Sequence, residues 1–351
     1  MRKINNKYHS SPVTSLAIES MVRPMPGKQQ GVALMMVLFV FALVTILASG
    51  MISRQSLFIQ KASNTLIQSQ AYEYAIGAEQ VARQMLFVDW EEDKKEKLFT
   101  DDLEEFWGKG AAGFPIDYGV IEAQIDDLQG RLNINSLINT DGSKDQAVIE
   151  RFKNLFLVLE LEDFQVEKLI DWIDDNDETE GADGAEEGDY LVKEKPYRTG
   201  NQAFVSTSEL MLINGMTEEN FKLLLPHVSA LPSGVKAINV NTCSKEIMRS
   251  LAKGKILSDA EGQSIIDSRK ENVFEKIEDF KAIPEYAGLT LEGTFSINTE
   301  FFKVSSKVTL SDRVSRLVSI LYRDSNDGKL TLMERNQGQK YLITKDLVLQ
   351  Q

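Results

Sequence analysis

The stretch "GKQQGVALMMVLFV", Gly27 to Val40, sets a lysine and two glutamines directly against an apolar run, with a glycine at the join. A conventional secretory signal ends its apolar run at small residues and is cut there, so the apolar part is discarded. Here the small residue, Gly31, comes first. From Val32 to Ile52 the chain is apolar apart from Thr45, Ser49 and Gly50, and no charge stands between Lys28 and Arg54. A helix of that length crosses ~30 Å of hydrocarbon. Basic residues gather ahead of it, at Arg2, Lys3, Lys7, Arg23 and Lys28, which puts the N-terminus in the cytoplasm and the bulk of the chain outside. The expectation is a single-pass, outward-facing protein whose apolar segment outlives any cut at Gly31.

The whole chain of 351 residues carries a net charge of -14, and residues 1–31 are basic, so the remainder is more acidic still. Such a body argues against broad binding of polyanions. A single cysteine, Cys243, excludes an intrachain disulfide and reads as a small buried apolar residue. Two histidines, His9 and His227, cannot furnish a His-rich metal site, and a His-centred triad cannot be assembled from them.

Beyond Arg54 the apolar residues Leu57, Ala62, Leu66, Ala75, Ala78, Ala82 and Met85 keep an approximately helical spacing, with no proline between Pro26 and Pro115. One helix from Val32 to about Leu86 is expected, stopped by the charged "DWEEDKKEK" from Asp89; an anchor followed by a separate helix stays open. In "GVIEAQIDDLQGRLNIN" (Gly119–Asn135), Ile121, Ala123 and Ile125 alternate, and Leu132 and Ile134 resume after Gly130, which predicts two strands around a turn. Alternation at Phe302, Val304, Val308 and Leu310, a turn at Ser311–Arg313, a strand over Val314–Tyr322, a turn at Asp324–Gly328 and "KLTLMER" predict an antiparallel meander. Between these regions, Gln146 to about Pro284 is helical in pattern, with caps such as Ser208 or Thr217. Residues 336–351 read as a loose polar tail.

A basic leader, a glycine and an apolar helix running into a globular head resemble the type IV pilins and the pseudopilins of type II secretion. "DLQGRLNINSL" (Asp127–Leu137), "IDWID" (Ile170–Asp174), "STSELMLINGM" (Ser206–Met216) and "INVNTCSKEIMRSL" (Ile238–Leu251) narrow the resemblance to the large minor pseudopilins, the general secretion pathway K family. The resemblance implies an α+β fold: a pilin-like long N-terminal helix packed on an antiparallel sheet, with a large all-helical domain inserted between strands. It divides the chain into a prepilin leader (1–31), a transmembrane and assembly helix (32–53), a first pilin-like part (54–136), the helical insertion with an acidic metal loop (137–300), the C-terminal strands (301–335) and a tail (336–351). It implies cleavage by prepilin peptidase between Gly31 and Val32, with Met21 offering a shorter leader. Relatives usually carry glutamate at the fifth mature position, where it meets the ammonium of the subunit ahead; here that position is Met36. A carboxylate in lipid is costly unless paired, so an apolar residue suits a subunit with nothing ahead of it. The implied role is the tip subunit that initiates the pseudopilus, anchored in the inner membrane with its globular part in the periplasm. The implied partners are the other minor pseudopilins, prepilin peptidase and the inner-membrane assembly platform.

"DWIDDNDETEGADGAEEGDY" (Asp171–Tyr190) crowds acidic side chains with no lysine or arginine among them. Such crowding is either solvated or holds a cation, and hard oxygen ligands suit Ca²⁺ rather than Zn²⁺. An EF-hand register from Asp175 places Glu180 where a glycine is required, so it is not that motif. The resemblance implies calcium here and, carried over position by position, the ligands Asp171, Asp174, Asn176, Asp177, Glu186 and Asp189. Clustered flexible acids make poor glycosidase pairs, so no enzyme is expected. The competing reading is a single-pass periplasmic anchor protein with a nucleic-acid-binding domain, since "LMLINGMTEENFKLLL" resembles half of a helix-hairpin-helix. Gly215 stands there with Glu218 and Glu219 rather than lysines.

Overall fold

The structure is a computed structural model describing residues 30–161, 164–338, 344–345 and 347–349. The leader therefore falls, up to residue 29, outside the described residues. The chain divides into two compact units, Met1–Asn64 and Thr65–Gln351. In the first, helix α1 (Gln30–Glu96) begins, and its residues from Val32 onward form a helix long and apolar enough to cross a membrane. In the second, α1 continues past Asp89, where charge was expected to stop it. Glutamate and lysine are good helix formers, and Lys94 and Lys95 complement the dipole of the last turn.

Over its second half α1 lays a stripe of small residues on a sheet. Ala71, Ala75, Ala78 and Ala82, followed by Leu86, are buried at spacings that keep one helix face turned inward. Glu79 lies in that buried face and is matched from the sheet. Ser319 Oγ donates to Oε2 at 2.7 Å, Arg335 Nε donates to Oε2 at 2.7 Å, and Arg335 Nη2 donates to Oε1 at 2.9 Å. Burial opposes the Glu79 charge, but these hydrogen bonds and the charges of Arg335 and Arg83 outweigh it, and its pKa lies below the ordinary value.

Strands β1 (Ala111–Ile116) and β2 (Gly119–Asp127) form a tight antiparallel hairpin whose turn residue Tyr118 takes a left-handed φ of 63°. Strand β1 was not anticipated, because "AAGFPI" has no alternation. Strands β3 (Leu132–Asn133) and β4 (Val228–Ser229) pair in parallel, as do β5 (Ile238–Asn239) and β6 (Phe295–Ser296). The expected strand pair within Gly119–Asn135 is thus corrected: β3 joins β4 in a separate sheet, and Ile134 starts a short 3₁₀ turn capped by Asn133. Strands β7 (Phe301–Leu310), β8 (Arg313–Arg323) and β9 (Leu330–Asn336) are the anticipated meander. Strand β10 (Leu347–Leu349) pairs in parallel with β1, so this part of the tail is not loose; it covers a sheet edge. The sheet order is β10-β1-β2-β7-β8-β9.

The insertion packs its own core. Its helices are α2 (Gln146–Val158), α3 (Glu167–Ile173), α4 (Glu187–Leu191), α5 (Glu218–Leu224), α6 (Lys245–Ser250), α7 (Asp259–Glu271) and α8 (Ile277–Lys281). Phe152, Leu155, Phe164, Leu169, Ile170 and Phe280 are fully buried in one cluster that runs from Leu132 to Phe295. Thr217 caps α5 as anticipated, whereas Ser206, not Ser208, caps the turn over Thr207–Leu212, in a capping box with Glu209.

The insertion meets the sheet through a buried polar seam. Asp127 accepts from the Gln129 amide (2.6 Å), Asn239 Nδ2 (2.9 Å) and Thr242 Oγ1 (2.6 Å). Burial raises its pKa in spite of these donors. Asn135 holds Phe204 and Leu231 through their backbones. Both residues brace the fold.

Candidate metal centre

Helix α3 buries Leu169, Ile170 and Trp172, and the same turn buries Asp171. Asp171 organises the acidic loop: Oδ1 accepts from the Glu180 amide at 2.9 Å and Oδ2 from the Ala185 amide at 2.7 Å. The loop turns at Gly181, with φ 64°, and Gly184 presses so close that a Cβ there would meet Asp171 Oδ2 at 2.1 Å. Beyond the turn, Tyr190 of α4 packs edge-on against Trp172, ring centroids 5.4 Å apart, and closes the loop onto the core.

Asp174 and Glu186 sit at the two ends of this loop, both buried, and among the described residues none of their carboxylate oxygens, Oδ1, Oδ2, Oε1 and Oε2, has a partner at full hydrogen-bond geometry, with only weak support from Asn176 and the Glu187 amide. A buried carboxylate without a partner is costly. Burial raises the Asp174 pKa, with the Asp171 charge adding to it. Burial, then the charges of Asp171, Asp174 and Asp177, push Glu186 up to about 7. The Asp171 pKa is raised as well, chiefly by burial. The structure therefore brings Asp171, Asp174, Asp177 and Glu186 into one mutually repelling group. Of the remaining expected ligands, Asn176 Oδ1 accepts from the Glu178 amide at 2.8 Å, and Asp189 Oδ2 accepts from the Glu186 amide at 3.1 Å. On the rim, Lys144 pairs with Glu180.

Buried oxygens short of donors, in a loop of carboxylates, fit a hard divalent cation of the calcium type. Asp174 and Glu186 would hold it, with Asp171 fixing the loop around them.

A second carboxylate group escaped sequence reading. Asp89, Asp101 and Glu105 bring ligand oxygens within 4.8 Å of one another, a grouping that no three loop carboxylates reach among the described residues. Arg323 fills it: Nη2 contacts both oxygens of Asp101 at 2.6 Å, and Nη1 contacts Asp89 at 3.1 Å. These partners lie 222 and 234 residues from the arginine, too far apart for any spacing rule.

At the start of α1, Gly31 lies in the helix, and Val32 and Met36 are exposed apolar side chains. In the hairpin after Ser206, Gly215 takes φ 83°, acids Glu218 and Glu219 open α5, and Lys222 is paired with Glu218 at 2.6 Å. That surface does not suit a phosphate backbone.

Residues 130–233 and 238–298 match two family profiles, both described as type II secretion system (T2SS), protein K. The type II secretion system protein K of Pseudomonas aeruginosa is 35% identical over 320 residues, covering 89% of this chain and 93% of the relative. The chain belongs to the type II secretion system protein K family. The protein K of Klebsiella pneumoniae is 34% identical over 65% of this chain and 71% of its own length. That of Aeromonas hydrophila is 28% identical over 90% and 99%. The fold recurs in the crystal structure of the GspK-GspI-GspJ complex of the enterotoxigenic Escherichia coli type 2 secretion system. The TM-score is 0.68 at 22% identity, covering 80% of this chain and 100% of that one. For a protein K chain the pilin-like architecture read from the sequence therefore holds, and the nucleic-acid-binding alternative gives way. Both profiles lie within the stretch from Gly130 to Asn298, so the insertion is where family character concentrates.

Proposed function

We propose that this chain is the minor pseudopilin that begins the type II secretion pseudopilus and stays at its tip, a structural role in protein export across the outer membrane. The observation that carries this reading is Met36. It lies on an exposed apolar helix in which no carboxylate occurs between Gly31 and Arg54, in a chain otherwise rich in acids. A repeating subunit gains from a glutamate that meets the next N-terminus; a first subunit would bury it unpaired. The helix is the inner-membrane anchor, exposed after prepilin peptidase cuts between Gly31 and Val32, and the acidic body is periplasmic.

The partners are counterparts of GspI and GspJ, which accompany the related chain in the crystal complex, together with the assembly platform of the inner membrane. Calcium held by Asp174 and Glu186 braces the insertion. Gold labelling of the insertion on isolated pseudopili tests the placement: label at one end supports it, and label along the shaft defeats it. Mass measurement of the membrane-extracted chain tests the processing, with Val32 as the expected first residue and a start beyond Ser49 as the contrary result.

A further inference from the structure

Where the sheet meets the insertion, a cavity of about 90 Å³ is lined by Arg131, Lys303 and Ser229, with Thr207 and Glu334 also on its wall. A water needs only ~10–15 Å³ on the same kind of measure, so the space accepts a small polyatomic group. Much of its wall is apolar, and the charged groups on it are Arg131, Lys303 and Glu334, an excess of cation in a chain of net charge -14. Lys303 Nζ lies 3.2 Å from Asp126 Oδ2, an ion pair whose geometry makes no hydrogen bond. Lys345 shares the same carboxylate at 3.7 Å. Asp126 is thus already divided between two lysines, and the half-buried Arg131 guanidinium has no hydrogen bond or ion pair with another of the described residues. Burial and the nearby Arg131 charge both work against protonation of Lys303.

Ser229 supplies an independent sign. It is 1% exposed, on β4, and its hydroxyl is buried with no hydrogen-bond partner among the described residues. A buried hydroxyl costs free energy until something accepts or donates to it. An unpaired guanidinium fork, a lysine with donors to spare and an orphaned hydroxyl around one cavity are the parts that a planar or tetrahedral oxyanion requires. We propose that this cavity between sheet and insertion is an oxyanion site that takes a carboxylate or a phosphate on Arg131, Lys303 and Ser229. Glu334 on the wall leaves the pocket with a modest positive excess, which suits one such group rather than a polyanion.

The group has two sources, a free anion or the acidic side chain of a neighbouring protein. Thermal melting of the full-length chain in detergent and calcium-free chloride buffer distinguishes them. One arm adds low-millimolar inorganic phosphate, the other N-acetylglutamate, both at matched ionic strength. The melting temperature should rise by a few degrees in at least one arm. Response to phosphate alone identifies a free tetrahedral anion, and response to the carboxylate alone identifies an acidic side chain. Arg131→Gln relieves repulsion with Lys303 but also removes a charge that favours ionised Asp126, so it should melt close to wild type in chloride alone and should lose the response. Ser229→Ala should melt above wild type in chloride, because the unpartnered hydroxyl is gone, and need several-fold more anion for the same shift. No response in either arm, or a response that survives Arg131→Gln, overturns the site.

Discussion

At the end of α1, three carboxylates crowd together and an arginine from β8 lies among them. In the acidic loop, Asp174 and Glu186 are buried as well, yet among the described residues their four oxygens find no donor at full hydrogen-bond geometry, and the rim cation Lys144 is committed to Glu180. The two regions face one problem, the cost of gathering like charges out of water, and meet it differently. In the first a counter-charge, Arg323, is part of the chain, although one arginine does not cover three carboxylates: burial still pushes Asp101 up to about 7, and burial with the neighbouring charges pushes Glu105 up to about 10. In the second the described residues supply no such partner to Asp174 and Glu186, and that difference is what the calcium proposed above would make up.

The largest effect should follow from emptying the first cluster. Arg323→Met leaves the buried Asp101 and the half-buried Asp89 without their cation and should cost about 3–5 kcal/mol, read by urea unfolding of the full chain at pH 8. A loss below 1 kcal/mol, by the same measurement, would mean that the carboxylates protonate and need no arginine.

Next comes the loop. A ligand present at a hundred times its Kd stabilises by about 2.7 kcal/mol, so chelation should lower the melting temperature of wild type by several degrees. Asp174→Ala combined with Glu186→Ala should melt lower than wild type in calcium and be indifferent to chelator. A wild-type melting curve unmoved by chelator would leave only a solvated loop.

Acidity acts on both clusters, and beside the first it can be followed at Asp93. Burial, then the charges of Asp89 and Asp101, push Asp93 up to about 7. Its folded pKa lies above the unfolded one, so its contribution is most favourable below the ordinary carboxylate range and is lost as pH rises to about 7. Asp93→Asn should remove this slope, on the order of 1 kcal/mol after solvent screening, in melts between pH 5 and 8 (calcium present, to hold the loop constant). An unchanged slope would place the titration elsewhere.

The smallest effect concerns the rim. Lys144→Met removes a half-exposed ion pair with Glu180, worth no more than about 1 kcal/mol, and takes a positive charge away from Asp171 and Asp174. Stability should scarcely change while calcium affinity, measured by calorimetry, rises; a fall in affinity would show that Lys144 shapes the loop.

The elements that local chemistry dictates could be read from the sequence. The long helix, the meander and most helices of the insertion announce themselves through periodicity, and Thr217 and Gly215 mark their turns. Strand β1 could not be read, because alanine, glycine and proline carry no alternating signal and it is pairing with β2 that makes it a strand. The acidic loop was visible as composition, but the assignment of Asp171 to holding the loop and of Asp174 and Glu186 to unpartnered burial depends on how the chain folds back. The Arg323 clasp and the cavity at Arg131 and Ser229 are assembled from distant segments, and no local pattern records them.

The register places Asp127 of β2 opposite Phe302 of β7, so the two ends of the insertion leave and re-enter the sheet side by side. Loop-closure entropy grows only as the logarithm of length, about 0.6 kcal/mol for each doubling, but a long unstructured excursion still slows the pairing of its flanking strands. An insertion that has already packed its own core presents its ends at strand spacing and behaves kinetically as an ordinary hairpin turn. The expected order of refolding is therefore the helical module first and the meander onto β2 afterwards, an order that hydrogen-exchange labelling during refolding would check.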